Sequence, residues 1–330
     1  MPIEKSSKAV AKRLIWPIVR RLHDWLDQLD EEMATPPQVP FDNTYPWWRY
    51  AFHELLKDEL CARKPMYVWG TVQGAALGKV LGIPRISVME FGVAGGAGLI
   101  SLEHIAQRLE TMIGIRIDVY GFDTGTGLPK PEDYRDQPNM WFAGQLPMNR
   151  DSLTQQLQRA SLRLGLVRDT VPQLLREGPA PVAFVSFDLD LYSSTRDALG
   201  LFTAKPESLL PRVVCYFDDI LGHSYGDFTG ERLAITEFNQ AHEMSKLSPI
   251  YGLRYYAPRR MRDAAYWDCL YLAHFFQHPL YNELDSITKA VYTDEKGRDY
   301  RLPISSDWQS EIPIGVDATG RGKLTDSAGG

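Results

Sequence analysis

The sequence predicts an α/β protein with a doubly wound, mostly parallel seven-stranded sheet and a helical extension at its N-terminus. From Ile86 onward, short apolar runs alternate with longer polar stretches of helical character. These runs are too uniformly apolar for strands with one solvent-exposed face. Such runs are typical of parallel strands covered by helices on both sides. The first run passes directly into a glycine-rich segment at Gly92, which indicates a strand, a turn and a helix in succession.

The residues before the first strand are expected to be helical. Apolar side chains recur there at helical spacing, and Thr35–Pro40 holds three prolines, which predicts a stiff linker. The predicted helices are 7–33, Trp47–Ala62 and Tyr67–Leu81. We expect residues 1–84 to form a helical extension or lid, whose apolar stripes are compatible with a homodimer.

Seven strands are expected in residues 85–280, which form the main domain. The predicted strands are Ile86–Phe91, Ile117–Phe122, Leu162–Val167, Val182–Phe187, Val213–Phe217, Ile250–Tyr256 and Tyr266–Phe275. The last two follow each other closely and favour an antiparallel pair at the edge of the sheet. Residues 281–330 become polar and glycine-rich, so we expect a C-terminal extension whose last dozen residues are disordered.

Composition narrows the classes of partner and compartment. The chain has 330 residues and a formal net charge of −6, so it has no basic excess with which to bind nucleic acid. Its three cysteines are far apart and lack CxxC spacing, which argues against a disulfide framework. The apolar run Leu14–Val19 is too short for a signal peptide or stable membrane insertion, and we expect a cytoplasmic protein.

The glycine-rich loop after the first strand predicts a nucleotide cradle. Glycines let the backbone approach a ligand, and the following helix offers free N–H groups at its N-terminus. Gly92, Gly95 and Gly98 lie at three-residue steps rather than in a GxGxxG arrangement. Glu90, at the end of the strand, would repel a pyrophosphate but suits the cationic amino-acid part of S-adenosylmethionine. A tight turn without a ligand is the alternative.

The second predicted strand ends at an acidic residue. Asp123 follows Phe122, and in a doubly wound sheet this position faces the crevice in which ligands bind. We expect the Asp123 carboxylate to accept hydrogen bonds from ribose hydroxyls, with a plain turn or helix-cap role as the alternative.

Four aspartates follow the fourth and fifth strands and are expected to face the same crevice. Asp188 and Asp190 follow one strand, and Asp218 and Asp219 follow the other. Carboxylates gathered in this way repel one another unless a cation compensates, and Mg²⁺ prefers such hard oxygen ligands. Asp188, Asp218 and Asp219 are the candidate metal ligands, and Asp190 is the candidate general base. The roles of Asp188 and Asp190 are exchangeable, and a cap on the following helix is the alternative for Asp190 or Asp219.

These motifs together resemble the macrocin O-methyltransferase family. The residues that carry the resemblance are Glu90–Gly96, Gly121–Thr124, Gly127–Pro129, Asp188–Thr195, Asp218-Asp219 and Gly230–Phe238. The resemblance covers roughly Ile86 to Phe275. It implies a Rossmann-like class I methyltransferase fold, S-adenosylmethionine as methyl donor, and Mg²⁺ that holds a vicinal diol of a sugar-like acceptor.

The resemblance also implies a set of site residues. The catalytic residues are expected to be Asp190 and Asp188, and the metal ligands Asp188, Asp218 and Asp219. The cofactor-binding residues are expected to be Glu90, Gly92, Val93, Ala94, Gly95, Gly96, Gly98, Asp123, Thr124 and Asp188.

Some residues and functions stay open at this level. His223 is either an auxiliary base or ligand, or a solvated loop residue. The cluster at Trp47, Trp48 and Tyr50 is either part of a lid, or core or interface. Besides a metal-dependent enzyme acting on a hydroxylated small molecule, the motifs allow a metal-independent methyltransferase or a non-catalytic S-adenosylmethionine-binding scaffold. An NAD-dependent oxidoreductase is disfavoured by Glu90 and the acidic crevice.

Overall fold

The computed structural model describes Arg21 and residues 47–222, 225–255 and 257–282. Apart from Arg21, Tyr281 and Asn282, the predicted helices over 7–33, the proline-rich linker, His223 and the C-terminal extension lie outside these residues, and their predictions stay as such. The division at residues 84 and 280 likewise stays a prediction. Among the described helices, none combines the length and apolar character needed to span a membrane.

The described residues form one mixed sheet with helices on both faces. The helices are α1 (Trp47–Leu55), α2 (Pro65–Val80), α3 (Ala97–Ile113), α4 (Arg150–Gln156), α5 (Val167–Glu177), α6 (Tyr192–Leu199) and α7 (Gly230–Ala241). The strands are β1 (Arg85–Phe91), β2 (Arg116–Asp123), β3 (Ser161–Leu164), β4 (Val182–Phe187), β5 (Leu209–Phe217), β6 (Ser245–Pro249) and β7 (Leu270–Phe275).

The strand order confirms the predicted fold class. The seven strands lie in the order β3-β2-β1-β4-β5-β7-β6. Neighbours from β3 to β5 are parallel, whereas β7 is antiparallel to both β5 and β6. Every residue of β4 is buried, as expected for a central strand covered on both faces. The order reverses between β1 and β4, and ligands bind at such a switch point in open α/β sheets.

Strand β3 is shorter than the predicted Leu162–Val167. It ends at Leu164 because Gly165 takes a φ of +140°, which breaks the extended conformation. Val167 then begins helix α5 instead of ending the strand. The apolar run therefore contains a strand, a turn and a helix start, which its composition alone does not separate.

The two edge strands form the predicted antiparallel pair, with bounds that differ from the prediction. Strand β7 begins at Leu270 rather than at Tyr266, because Ala265–Cys269 form a 3₁₀ helix. The prediction of Ile250–Tyr256 as a strand was wrong, because Gly252 turns the chain at a φ of +81° and a 3₁₀ turn follows. Strand β6 lies earlier, at Ser245–Pro249, where only Leu247 is buried. The amide of Asn239 on α7 bonds both the N–H and the C=O of Leu247, at 2.7 and 2.8 Å, and so occupies the open edge of β6.

Helix α2 is the predicted helix that packs most closely on the sheet. It begins at Pro65, whose missing N–H costs nothing in the first turn. A Cβ atom at Gly70 would lie 2.1 Å from the Phe184 ring, and one at Gly74 would lie 2.8 Å from Ala183. These glycines therefore let α2 approach β4. Helix α1 ends at Leu55, seven residues before its predicted end.

Four phenylalanines cross the sheet at the ends of its central strands. Phe91, Phe187 and Phe217 end β1, β4 and β5, and Phe122 is the last residue but one of β2. The four pair with one another in strand register. Successive ring centroids lie 4.6, 5.4 and 4.5 Å apart, and all four side chains are fully buried. The residue after each ring is a predicted site residue, so this phenylalanine row aligns the site across four strands.

Candidate active site

The glycine loop is joined directly to the end of β4. Gly92 has a φ of +85°, and a Cβ atom there would lie 1.7 Å from the carbonyl oxygen of Asp188. The backbone N–H of Asp188 donates to the carbonyl oxygen of Phe91 at 2.9 Å. Only glycine therefore fits at Gly92, and the predicted cofactor loop lies against the first predicted carboxylate.

The loop leads into the N-terminus of α3. Gly96 precedes the helix with a φ of +87°, and a Cβ atom there would lie 2.3 Å from the Leu153 side chain. Gly95, in contrast, has open space where a Cβ atom would stand. The predicted sequence of strand, glycine turn and helix start is therefore present, with backbone N–H groups available at the start of a 17-residue helix.

Glu90 is a buried carboxylic acid beneath this loop. Its Oε1 atom accepts a hydrogen bond from the Tyr67 hydroxyl at 2.7 Å, whereas its buried Oε2 atom has no hydrogen-bond partner among the described residues. A Cβ atom at Gly98 would lie 1.8 Å from Oε1, so that glycine makes room for the carboxylate. Burial raises the pKa of Glu90 to about 8. A buried oxygen without a partner is costly unless a ligand supplies one.

Asp123 holds the glycine loop in place. Its Oδ2 atom accepts hydrogen bonds from the backbone N–H groups of Val93 and Ala94, at 3.0 and 2.9 Å. Its Oδ1 atom accepts from the N–H of Gly125 at 2.6 Å. The hydroxyl of Thr124 donates to the carbonyl oxygen of Gly127 at 2.6 Å and closes the next turn. Both side chains thus shape the loops, and their predicted contacts with a cofactor stay predictions.

A cavity of about 480 Å³, open to solvent, lies beside these loops. It is lined by predicted site residues from three strand ends and by apolar side chains that the sequence analysis did not single out. Its lining includes Ala94, Asp123, Thr124, Leu128, Leu166 and Asp190. A concave, mostly apolar site with a few polar groups is typical of small-ligand binding.

Three of the four aspartates have raised pKa values. Burial is the largest cause in each case, and the neighbouring carboxylates add to it. The pKa rises to about 7 for Asp188, about 8 for Asp190 and about 6 for Asp219. Burial and mutual repulsion therefore disfavour the charged forms of these carboxyl groups, and a bound cation would favour them.

Asp219 is the hub of a hydrogen-bond network at the end of β5. Its Oδ2 atom accepts from the backbone N–H of Asp190 at 3.0 Å, and its Oδ1 atom accepts from the Tyr225 hydroxyl at 2.8 Å. The backbone N–H of Asp219 donates to Glu231 Oε2 at 3.0 Å. Asp190 has a φ of +61°, a left-handed conformation, and the bond from its backbone N–H to Asp219 stabilises it.

Glu231 is a site residue that the sequence analysis did not identify. It lies in the first turn of α7, is fully buried, and accepts a hydrogen bond from the Thr195 hydroxyl at 3.5 Å. Burial raises its pKa well above the ordinary value, with Asp219 as the next cause. The sequence placed this glutamate within the motif Gly230–Phe238, but nothing in its spacing indicated a bond to a backbone amide twelve residues earlier.

The predicted metal ligands have the right chemistry without forming a compact ligand set. Asp218 is exposed and accepts a hydrogen bond from the Tyr216 hydroxyl at 2.6 Å. Within the described ranges, only Asp58, Cys61 and His104 bring three such ligand atoms within 4.8 Å of one another. The strand-end aspartates fit Mg²⁺ by donor type, and their oxygens would have to converge to bind it.

Other predicted residues take structural places. Trp48 is 4% exposed and packs edge-on against Trp69 at a centroid distance of 5.4 Å, so it belongs to the core rather than to a lid surface.

Comparison with known proteins gives distant structural similarities. No protein-family model matches the chain, and no curated protein matches it. The solved structure of CalS11, a calicheamicin methyltransferase, is 21% identical over 66% of this chain and 96% of that chain, with a TM-score of 0.42. The O-methyltransferase NovP is 19% identical over 53% of this chain and 72% of that chain, with a TM-score of 0.40.

A further similar structure is MycE, a methyltransferase from the mycinamycin biosynthetic pathway, solved in complex with Mg and SAH. It is 14% identical over 78% of this chain and 60% of that chain, with a TM-score of 0.34. Because these similarities are distant, the fold assignment rests on the strand order of the sheet itself.

Proposed function

We propose that this chain is an S-adenosylmethionine-dependent O-methyltransferase. The proposed acceptor is a hydroxylated small molecule or sugar-containing compound, with a vicinal diol favoured, and Mg²⁺ is proposed to assist. The observation that carries the proposal is the buried Glu90 oxygen without a partner, directly beneath a glycine loop at the switch point of the sheet. A cytoplasmic location and a homodimer remain expectations of the same proposal.

The cofactor is proposed to lie along the carboxyl ends of β1 and β2. Glu90 would accept a hydrogen bond from the ammonium group of the methionine part, which matches its need for a donor. The open cavity beside Asp123 and Leu166 would hold the adenosine part against apolar walls. A pyrophosphate in place of methionine would bring negative charge onto Glu90, which disfavours NAD.

The acceptor is proposed to bind at the carboxyl ends of β4 and β5. Asp188, Asp218 and Asp219 would hold the metal ion, and their mutual repulsion supports a cation there. When bound, Mg²⁺ supplies a Lewis acid that lowers the pKa of a coordinated hydroxyl. Methyl transfer forms an oxygen–carbon bond on the acceptor and breaks the sulfur–carbon bond of the donor. Asp190 would take the hydroxyl proton, and S-adenosylhomocysteine leaves.

A metal-independent methyltransferase is the second candidate. It is favoured by the hydroxyls of Tyr216 and Tyr225, which already donate to Asp218 and Asp219 at 2.6 and 2.8 Å. In that case the aspartates would shape the pocket and orient the acceptor without an ion. Turnover that survives both EDTA and Asp218→Asn would favour this candidate.

Calorimetric titration with S-adenosylhomocysteine tests the proposal first. We expect binding in the micromolar range with Mg²⁺ and with EDTA, because the metal is proposed to bind the acceptor rather than the cofactor. Radiolabelled methyl transfer to a panel of polyols and glycosides then tests catalysis. Binding without transfer to any acceptor would support a non-catalytic scaffold, and absence of binding would contradict the proposal.

A further inference from the structure

The N-terminus of α2 contacts the candidate cofactor site through Tyr67. This side chain is fully buried, and its hydroxyl donates to Glu90 Oε1 at 2.7 Å. The same hydroxyl accepts a hydrogen bond from Ser186 Oγ on β4 at 2.8 Å. Tyr67 therefore joins α2, β1 and β4 through one atom. It fixes one oxygen of Glu90 and leaves the other free to accept from a ligand.

Lys64 places a positive charge beside the same group. It directly precedes α2, and its Nζ atom lies 5.2 Å from the centroid of the Tyr67 ring. Burial raises the pKa values of Glu90 and Asp188, and the charge of Lys64 opposes that rise in both, so it lies near both carboxyls. Among the described residues, no carboxylate oxygen lies within 4.0 Å of Lys64 Nζ. The ammonium group is thus close to the site without forming an ion pair.

We propose that Lys64, Tyr67 and Glu90 form the subsite for the zwitterionic amino-acid part of the cofactor. In this subsite Glu90 Oε2 accepts from the ligand's ammonium group, and Lys64 binds the ligand's carboxylate. Tyr67 is a positioning residue that holds Glu90 in the orientation required. The inference rests on the proposed function and assigns to α2 a role in cofactor binding.

The charges of the subsite match those of the ligand. An amino-acid head group carries one positive and one negative charge, and the subsite offers one of each on separate elements. If Lys64 only neutralised Glu90, the two groups would be expected in direct contact, and they are not. A ligand between them would complete both interactions and give the buried Oε2 atom its missing donor.

Calorimetry with two ligands tests this assignment. S-adenosylhomocysteine carries the amino-acid part, and 5′-methylthioadenosine lacks it. We expect Lys64→Gln to weaken S-adenosylhomocysteine on the order of ten-fold, as for loss of one charge-assisted hydrogen bond, with 5′-methylthioadenosine within two-fold of the wild type. Lys57→Gln is the matched control, because that side chain is 62% exposed and pairs with Glu54 on α1. It should change neither affinity.

Tyr67→Phe tests positioning separately from folding. The ionisable groups that act on Glu90 are Tyr67, Lys64, Asp188 and Asp123, and the variant changes only the first of them. Because the Tyr67 hydrogen bond favours the charged carboxylate, its loss should move the pH profile of S-adenosylhomocysteine affinity to higher pH. A purely structural role would weaken both ligands and leave the profile in place.

Three outcomes overturn the inference. Equal weakening of both ligands by Lys64→Gln would show that Lys64 supports the fold rather than the amino-acid part. Unchanged affinity for S-adenosylhomocysteine in that variant would show that Lys64 does not contact the ligand. Failure of the wild type to bind either ligand would contradict the proposed function itself, whereas the first two outcomes leave that function standing.

Discussion

Replacing Glu90 with glutamine should make the ligand-free protein more stable at high pH. The glutamine keeps the shape of the side chain and its acceptor for the Tyr67 hydroxyl, which lies 2.7 Å from Oε1. It removes a buried carboxyl group whose pKa is raised by burial from 4.5 to about 8. The predicted gain in stability comes from removing the cost of ionising that group in the folded state.

The sign follows from the protons bound in each state. Between pH 4.5 and about 8 the folded protein keeps a proton on Glu90 that the unfolded chain has released. The free energy of unfolding of the wild type therefore falls as the pH rises through this window. At about 1.36 kcal/mol for each pKa unit, ionising Glu90 in the folded state lowers the free energy of unfolding by on the order of 5 kcal/mol above pH 8.

The glutamine itself lowers the free energy of unfolding by a smaller amount that does not depend on pH. Its amide N–H₂ replaces the Oε2 atom, which has no partner among the described residues, and an unpaired buried donor costs about 1–3 kcal/mol. Glu90→Gln should thus be no more stable than the wild type at pH 5 and clearly more stable at pH 9. The other carboxyl groups are present in both proteins, so their titration largely cancels in the difference.

Urea unfolding at pH values from 5 to 9 measures this difference. Glu59→Gln, at a side chain 92% exposed, controls for the loss of one negative charge without the loss of a buried one. In the same series, S-adenosylhomocysteine should stabilise the wild type and lose most of that effect in Glu90→Gln. A stability difference between the wild type and Glu90→Gln that stays constant across the pH range would refute the reasoning.

Three other changes have defined outcomes. Gly92→Ala should destabilise the fold by more than about 2 kcal/mol in urea unfolding, because its Cβ atom would lie 1.7 Å from the Asp188 carbonyl oxygen, whereas Gly95→Ala should be tolerated. Asp190→Asn should lower turnover on the order of 100-fold or more with S-adenosylhomocysteine affinity nearly unchanged, and normal turnover would exclude it as general base. EDTA should lower methyl transfer and added Mg²⁺ restore it, and EDTA-resistant transfer would contradict the proposed metal.

The fold was predictable because its central strands are uniformly apolar. Val182–Phe187 was predicted at the bounds it has as β4, since every residue in it is buried. The edge strand β6 could not be found in this way, because Leu247 is its one buried residue. Its place is set by pairing with β7 and by the amide of Asn239, and neither contact leaves a pattern in the local sequence.

The candidate site was predictable where site residues end strands. Glycines and aspartates directly after apolar runs mark the carboxyl edge of the sheet, which led to Gly92 and Asp188. Glu231 and Lys64 were missed because they reach the site from helix starts. Their partners, a backbone amide and an aromatic face, are distant in sequence or leave no spacing signal.

The phenylalanine row sets the scale of the site. Its four rings occupy adjacent strands, and strands in a sheet lie about 4.8 Å apart, so the residues that follow the outermost rings stand about 14 Å from each other. The sheet therefore holds Asp123 and Asp218 at a fixed distance from each other. A slip of one strand by one residue would turn a ring toward the opposite face, which buried packing strongly resists. In the proposed function, the distance between the cofactor and acceptor positions is thus set by the sheet, and adaptation to a new acceptor would fall to the loops that follow the strands.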